Sequence, residues 1–176
     1  MYDSSHEQIR ACDRVIEAHL QGMAWPEVPL LAPKRRGRRR QDNEGTFDAR
    51  QRLHHVAGVD LTAIEGIAER TAHVVLREIG TDRSRGPSET HCGSGLGLAP
   101  HPKKSGGRVQ SSATRPGVHR AAQALRLAAK NVPRSPSALG ACFRRIAARR
   151  GLAQAITATA YQLARIIYAM LTHGMA

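Results

Sequence analysis

The sequence predicts a mainly α-helical protein, and three observations support this. The 176 residues include only six aromatic side chains. A core must therefore be built from Ala, Leu, Ile and Val, which suits packed helices better than a β-sandwich. Apolar residues recur at helical spacing near the N-terminus. The longest apolar stretch, residues 152–171, repeats one apolar face: Ile156, Ala160, Leu163, Ile167 and Met170.

The first predicted element is an amphipathic helix over residues 2–21. Its apolar stripe consists of Ile9, Cys12, Val15, Ile16 and Leu20. Residues 22–50 then contain prolines, glycines and a basic run at 34–40 without a sustained period, which predicts a flexible, disordered basic linker. We expect the basic run to attract phosphate nonspecifically rather than to read bases.

A helix-hairpin-helix-like element is predicted over residues 53–80, where two short apolar segments flank a glycine turn. The run at 64–72, IEGIAERTA, carries this likeness. Gly66 would let the backbone approach a DNA phosphate closely, because a side chain there would hold the phosphate away. Ala68 stands where the motif commonly has a second glycine. An ordinary helical hairpin is the alternative, and these residues fit it equally well.

Further helices are predicted within residues 118–172. Their expected ranges are 118–132, 136–150 and 152–171. We expect Ser135 to cap the second of them with Pro136 at its first position. Gly151 and Gly174 are expected to end the second and the third.

The charge distribution predicts a nucleic-acid partner. The chain has 27 Lys and Arg against 14 Asp and Glu, a net charge of +13, and a pI near 11.1. All 14 acidic residues lie within the first 89 positions, and residues 90–176 contain 13 cations and no carboxylate. A segment without internal counter-charge repels itself, and binding a polyanion offsets that repulsion most easily. A generically basic, solvated surface is the alternative.

Individual cations become candidates on this basis. Three of them are expected to contact nucleic acid: Arg115, Arg120 and Arg126. Four further arginines, at positions 144, 145, 149 and 150, crowd the end of a predicted helix, where cations suit the helix dipole. A ridge that faces a duplex is the alternative role, and both can hold.

Cysteine usage and the N-terminal sequence predict a reduced, cytoplasmic protein. Cys12, Cys92 and Cys142 form no CxxC pair and leave one thiol unmatched in any disulfide scheme, so no disulfide framework or structural zinc is expected. The N-terminus has no apolar signal core, and polar residues interrupt the longest apolar stretch. No contact with a membrane is therefore expected.

Residues 81–117 are rich in glycine, proline and serine, which predicts a loop of the kind that carries chemistry. Ser105 precedes Gly106 and Gly107, so its hydroxyl is sterically open and a phosphodiester could come within attacking distance. Three neighbouring cations could hold the non-bridging oxygens: Lys103, Lys104 and Arg108. A turn without a catalytic role is the alternative. His101, His119 and water all remain candidates for the general base.

Five segments resemble a known family in the same order along the chain. They are GVDLTAIEGIAERTAHVVLREIGTD (58–82), GLGLAPHPKKSGGRV (95–109), RAAQALRLAAK (120–130), SALGACFRR (137–145) and AQAITATAYQLARIIYAMLTHG (153–174). They resemble the C-terminal half of insertion-sequence transposases of the IS-one-ten family, also called the IS-one-sixteen or IS-nine-oh-two group. The likeness places a C-terminal transposase domain at 51–176 and the end of a helical connector at 1–21.

The resemblance implies a DNA recombinase whose serine nucleophile falls on Ser105. Such enzymes pair this domain with an N-terminal RNase-H-like domain, whose four carboxylates bind divalent metal. An element-encoded structured RNA guides them to DNA. The implied partners are thus DNA and guide RNA, in the bacterial cytoplasm at the nucleoid. Residues 2–21 are further expected to form homo-oligomers.

Several departures from the family pattern shape the functional expectation. The metal-binding domain has no counterpart in the sequence, so Mg²⁺ is expected only in that missing domain and no cofactor in this chain. Cys92 and Gly95 replace aromatic residues, and His119 replaces an asparagine. We therefore expect a truncated transposase fragment that binds nucleic acid and is inactive alone. The alternatives are a non-catalytic helix-hairpin-helix protein and a relic without a stable fold.

Overall fold

The computed structural model describes residues 2–23, 47–80, 88–114, 117 and 119–174. These residues form seven α-helices, 3-10 turns at 61–63 and 132–134, and one two-stranded antiparallel sheet. The elements are α1 (Tyr2–Gly22), α2 (Ala49–Ala57), α3 (Glu69–Ile79), α4 (Glu89–Gly95), β1 (Lys103–Ser105), β2 (Arg108–Ser111), α5 (Arg120–Ala129), α6 (Ala138–Arg150) and α7 (Leu152–His173). The predicted mainly α-helical fold class is confirmed. Among the described helices, none is long and apolar enough to cross a membrane.

The chain forms two compact units, a first unit of Met1–Asp60 and a second unit of Leu61–Ala176. Most of the predicted linker, 22–50, lies outside the described residues, and its disorder stays a prediction. The domain boundaries that we inferred from the sequence stay predictions as well.

The first unit contains α1 and α2. The predicted N-terminal helix is present as α1, which packs against α2. An ion pair of 2.9 Å between Glu17 and Arg52 links the two helices, and Leu20 and Leu53 are buried beside it. Much of the α1 apolar stripe remains exposed, including Val15 at 58%.

A polar cluster lies at the end of the first unit. Both Nε and Nη2 of Arg50 donate to Oδ2 of Asp60, at 3.0 Å and 2.6 Å. His54 is only 7% exposed, and its Nδ1 atom has no hydrogen-bond partner among the described residues. Burial lowers the pKa of His54, and Asp60 partly opposes this effect while His55 and Arg50 add to it.

The second unit is built around α7. Helices α4, α5 and α6 pack against α7, and α3 packs against α5. Ala160, Leu163 and Ile167, from the apolar face that the sequence predicted, are completely buried. Leu125 of α5 and Val75 of α3 are completely buried as well. The core is therefore aliphatic, as the scarcity of aromatic residues indicates.

The start of α6 differs from the prediction. Its N-cap is Ser137, whose Oγ accepts a hydrogen bond from Gly140 N at 3.2 Å, so Pro136 precedes the cap instead of opening the helix. Ser135 supports the cap, because its Oγ accepts from Ser137 N at 3.1 Å. The predicted cap at Ser135 is therefore wrong by two residues. The expected helix ends at Gly151 and Gly174 are confirmed.

The segment predicted as a loop, 81–117, contains regular structure in its described part. Ser88 Oγ accepts a hydrogen bond from His91 N, and this cap starts α4. Strands β1 and β2 then form an antiparallel hairpin. The sequence pattern predicted neither α4 nor the hairpin, because glycine and serine occur in helix caps and tight turns as readily as in irregular loops.

Candidate nucleic-acid interface around Ser105

Ser105 lies at the tip of a tight β-hairpin. It pairs with Arg108, so that only Gly106 and Gly107 form the loop between the strands. Their φ angles are +56° and +73°. A type I′ turn needs positive φ at both central positions, and two glycines meet that requirement without strain. The Ser-Gly-Gly sequence therefore forms a turn, and this turn places the serine at an exposed end of the hairpin.

The hairpin is solvated along its whole outer part. Every residue from 101 to 110 is exposed, including Lys103, Lys104 and Arg108. Within the described part of the chain, Ser105 Oγ makes no hydrogen bond. The hydroxyl is thus accessible to a ligand as large as a nucleic-acid backbone.

The strand register sorts the cations onto two faces. Directly paired residues of an antiparallel ladder share a face, and successive residues alternate between faces. The pairs are Ser105 with Arg108, Lys104 with Val109, and Lys103 with Ser111 across a bulge. Lys103, Ser105 and Arg108 consequently share one face, while Lys104 lies on the opposite face. From the sequence we expected Lys103, Lys104 and Arg108 all to lie beside the serine. The strand register places only Lys103 and Arg108 on the same face as Ser105.

The hairpin extends inward to Pro100 and Thr114, which form an isolated β-bridge. His101 N also donates to Ala113 O at 3.0 Å. We call residues 100–114 the Ser105 hairpin. Leu98, two residues before it, is only 1% exposed and anchors its base in the core of the second unit.

A Schellman motif joins this anchor to α4. Leu98 N donates to Gly93 O, and Gly97 N donates to Ser94 O, both at 3.0 Å. Gly97 adopts the left-handed conformation that the motif requires, with φ +68°. The direction in which the chain enters the hairpin is therefore fixed by backbone hydrogen bonds.

Contacts with α7 hold α4 itself in place. Gly93 lies so close to the Tyr161 ring that a Cβ atom would overlap it. Arg165 of α7 pairs with Glu89 at 3.0 Å. Glu89 is the last acidic side chain in the sequence, and its pair with Arg165 joins the start of α4 to α7.

The turn at Gly66 faces the end of α5. Gly66 has a φ of +83°, and a Cβ there would stand 2.8 Å from Ala128 O. Its neighbour Glu65 is hydrogen-bonded by the Ser135 and Ser137 side chains, which lower the pKa of that carboxyl. The absence of a side chain at Gly66 thus allows the turn to pack closely against the end of α5. A contact between Gly66 and phosphate stays a prediction.

The remaining predicted cations occupy different places. Arg120 begins α5 on its exposed side, and Arg126 is half-buried in its last turn. Arg115 lies outside the described residues. Arg144 Nη1 donates to Pro133 O at 2.8 Å and to Ser135 O at 2.9 Å, so it holds the turn before α6. No sequence pattern indicated this structural role. Arg149 and Arg150 are exposed at the end of α6.

The structure does not single out a general base. His101 is exposed, and no hydrogen bond joins it or His119 to Ser105 within the described part of the chain. His119 is half-buried at the N-terminus of α5, and its Nδ1 has no described partner. The part of the chain that the structure describes also contains no group of three or more His, Cys, Asp or Glu side chains that could hold a metal. The resemblance assigns Mg²⁺ to another domain of such enzymes, and the expectation that this chain holds none stays a prediction.

Comparison with protein families adds to this geometry. The model of the Transposase IS116/IS110/IS902 family matches residues 58–141. The match covers 84 of the 176 residues, and over this segment the chain is similar to these transposases. The matched segment includes the Gly66 turn, α3, α4, the Ser105 hairpin and α5. It ends within the first turn of α6 and does not include α7. No curated protein matches the chain. This match supports a function related to transposition.

Proposed function

We propose that this protein acts in DNA transposition by binding nucleic acid through its second unit and presenting Ser105 as a nucleophile. The observation that carries the proposal is the tip of the Ser105 hairpin. There an exposed hydroxyl shares a face with Lys103 and Arg108. Two cations beside the hydroxyl could neutralise the non-bridging oxygens of a phosphodiester while the oxygen attacks.

The charge of the second unit supports this proposal. Residues 61–176 contain 17 Lys and Arg against five Asp and Glu. Two of those five carboxylates, Glu65 and Glu89, are engaged by serine hydroxyls and by Arg165. The unit therefore carries a large positive excess, which favours nucleic acid through counterion release. DNA and a structured guide RNA are the proposed partners.

Helix α5 supplies a second part of the proposed surface. Arg120 is exposed on it, Lys130 is exposed at its C-cap, and Arg126 is partly exposed. Contacts of such side chains to phosphates would position nucleic acid without reading its sequence. A helix-hairpin-helix-like contact at the Gly66 turn belongs to the same proposal. Since the Cβ side of Gly66 faces α5, this contact would use the outer backbone of the turn.

The proposed chemical step is a transesterification. Ser105 Oγ gives its proton to a base and bonds to the phosphorus of one DNA strand. The bond from phosphorus to the deoxyribose oxygen breaks, and that oxygen leaves with a proton. One phosphodiester replaces another, so the step needs no oxidant or reductant.

For this chain alone we propose binding without turnover. Several described carboxylates serve structural roles, such as the pairing of Asp60 with Arg50 and of Glu17 with Arg52. The family resemblance assigns the metal-binding carboxylates to another domain. A purely nucleic-acid-binding protein is the second candidate function, and the exposed cations favour it equally.

One experiment separates these candidates. The chain is incubated with element DNA, guide RNA and Mg²⁺, with and without a metal-binding domain of the family, and covalent protein–DNA adducts are resolved by denaturing electrophoresis. We expect an adduct only when both domains are present, and its loss in Ser105→Ala. Ser112→Ala is the matched control, because Ser112 is an exposed serine of the same hairpin. If both domains together give no adduct, the nucleophile proposal is wrong and only binding remains.

Binding itself is tested by its salt dependence. Affinity for duplex DNA should fall on a log–log plot with a slope of about −0.9 per phosphate neutralised. A flat response would contradict nucleic-acid binding by the cationic surface.

We further propose that α1 mediates self-association. Ile9 and Val15 expose 47% and 58% of their surfaces on this helix. A second copy of the helix would bury them. Sedimentation should show a smaller assembly for Ile9→Glu than for Gln8→Glu, which adds the same charge at an exposed polar position.

A further inference from the structure

An irregularity in the Ser105 hairpin turns one uncharged polar side chain toward the serine. We propose that Gln110 binds the phosphate next to the phosphodiester that Ser105 attacks, and that this contact fixes which phosphodiester is attacked. The inference rests on the proposed function and adds a substrate-binding residue to it.

A β-bulge interrupts the hairpin ladder at Gln110. Lys104 pairs with Val109. The preceding residue of β1, Lys103, pairs with Ser111, so that Gln110 is an extra residue of β2. Bulges are frequent beside active sites, where they change the direction of a side chain.

The hydrogen-bond pattern of the ladder places this bulge opposite Lys103. Ser105 and Arg108 close a two-residue turn and therefore form a hydrogen-bonded pair. Hydrogen-bonded and non-hydrogen-bonded pairs alternate in an antiparallel ladder, so Lys103 stands again at a hydrogen-bonded position. A bulge at such a position sets two residues, Gln110 and Ser111, against one, and both side chains lie on the side of that one residue. Gln110 therefore lies on the face of Ser105.

The Gln110 side chain is available to a ligand. It is exposed, and it makes no hydrogen bond within the described part of the chain. Ser111, the other residue of the bulge, is half-buried, and its Oγ accepts a hydrogen bond from Ala113 N at 3.2 Å. Of the two bulge side chains, Gln110 is thus the one that can bind a ligand without losing a contact.

The neighbouring side chains indicate what Gln110 meets. Lys103 lies opposite it, and Arg108 precedes it by two residues on the same face. A nucleic-acid strand whose phosphates contact both cations would pass the Gln110 amide with its backbone toward the hairpin. Amide donors bind phosphate oxygens without charge, and such contacts fix the register of a protein on nucleic acid. Gln110 is two residues along β2 from the partner of Ser105, roughly 7 Å at about 3.4 Å per residue, so it reaches the neighbouring phosphate instead of the attacked one.

The test maps the attacked phosphodiester at single-nucleotide resolution. The chain reacts with labelled element DNA, guide RNA, Mg²⁺ and a metal-binding domain of the family, and a sequencing gel measures the length of the DNA strand that adduct formation releases. We expect Gln110→Ala to raise attack at the neighbouring phosphodiesters about fivefold relative to the main site, the ratio that one lost hydrogen bond produces. The slope of log affinity against log salt should stay unchanged, because the amide carries no charge. Lys103→Ala should reduce that slope by about 0.7–0.9.

A neutral methylphosphonate at the neighbouring position of the DNA tests the contact directly. In the wild-type chain, one of its two stereoisomers should spread the attack as Gln110→Ala does. In Gln110→Ala the same substitution should add nothing, because both changes remove one hydrogen bond. Additive effects would show that Gln110 does not bind this phosphate and would overturn the inference.

Gln123→Ala is the matched control, because it shortens an exposed glutamine of α5 and leaves the hairpin intact. It should keep the wild-type site of attack. If Gln110→Ala also keeps that site, the inference is wrong while the proposed function is unaffected. An equal loss of reaction at every position in Gln110→Ala would assign the residue a merely structural role and would overturn the inference as well. If the wild-type chain forms no adduct, the proposed nucleophile fails and the inference fails with it.

Discussion

Gly66 lies directly against Ala128. A Cβ built on Gly66 would stand 2.8 Å from the Ala128 carbonyl oxygen and 2.9 Å from Cγ2 of Val132. The φ of +83° at Gly66 further disfavours any other residue there. The fold alone therefore accounts for this glycine, whatever contact the turn makes with nucleic acid.

The packing of Gly66 predicts a loss of stability on substitution. Gly66→Ala should lower the free energy of unfolding by about 1–3 kcal/mol more than Gly151→Ala, because overpacking adds to backbone strain. Gly151 is the matched control, since its φ is +89° and an added Cβ would meet open space. Urea denaturation followed by circular dichroism measures both values. Equal losses in the two variants would show that Ala128 moves away without cost.

The turn at the tip of the hairpin predicts that DNA binding depends on which residue replaces Gly106. Gly106→Val should weaken DNA binding, because a β-branched residue resists the positive φ of a type I′ turn. Gly106→Asn should retain binding, since asparagine tolerates that conformation. The melting temperature should fall more for the valine variant than for the asparagine variant, because the positive φ strains a β-branched residue although an added Cβ at Gly106 meets nothing within 4 Å. Equal binding by the valine and asparagine variants would contradict a role for the turn geometry.

Two glycines of α4 predict opposite effects. Gly93→Ala should destabilise the protein by about 1–3 kcal/mol, because the new methyl group would overlap the Tyr161 ring. Gly95→Ala meets nothing within 4 Å and should be neutral or stabilise by up to about 1 kcal/mol, since alanine favours helix. Thermal melts of the two variants test this contrast. A stable Gly93→Ala protein would show that α4 is not held tightly against α7.

Buried His54 predicts a stability that declines in acid. Burial lowers its pKa below the usual 6.5, so the unfolded chain binds a proton more readily than the folded one. Its contribution is fully present above pH 6.5 and is lost as the pH falls through the lowered value. Urea midpoints measured from about pH 7.5 to about pH 5 should fall less steeply in His54→Asn. A residual decline is expected, because burial and Arg77 also lower the pKa of His73.

A matched variant completes that experiment. His101→Asn removes an exposed histidine from the hairpin and should reproduce the wild-type profile. If His54→Asn gives the wild-type profile as well, proton binding at His54 does not control the acid response.

The sequence predicted the structure best where a residue type has a single structural role in its local context. Gly151 and Gly174 were recognised as helix ends, and the apolar face of α7 was recognised from its period. The prediction was less accurate where several polar residues could serve as the same helix cap. Ser135 and Ser137 can both cap a helix, and only the hydrogen bond from Gly140 shows which of them does.

The candidate site shows the same division. The sequence identified Ser105, its two glycines and its neighbouring cations, because steric freedom and charge are properties of the residues themselves. It could not show that these residues form a hairpin, since Val109 is the sole β-branched residue among 103–111. Nor could it show that Lys104 lies on the opposite face from Ser105.

The sequence by itself thus determined the helical class, the aliphatic core and the separation of charge along the chain. These follow from composition and from periods that span a few residues. Only the tertiary structure decided that Gly66 packs on α5, that Glu89 of α4 pairs with Arg165 of α7, and which cations share a face with Ser105. Such relationships join residues that are distant in sequence or depend on strand register, and local preferences do not specify either.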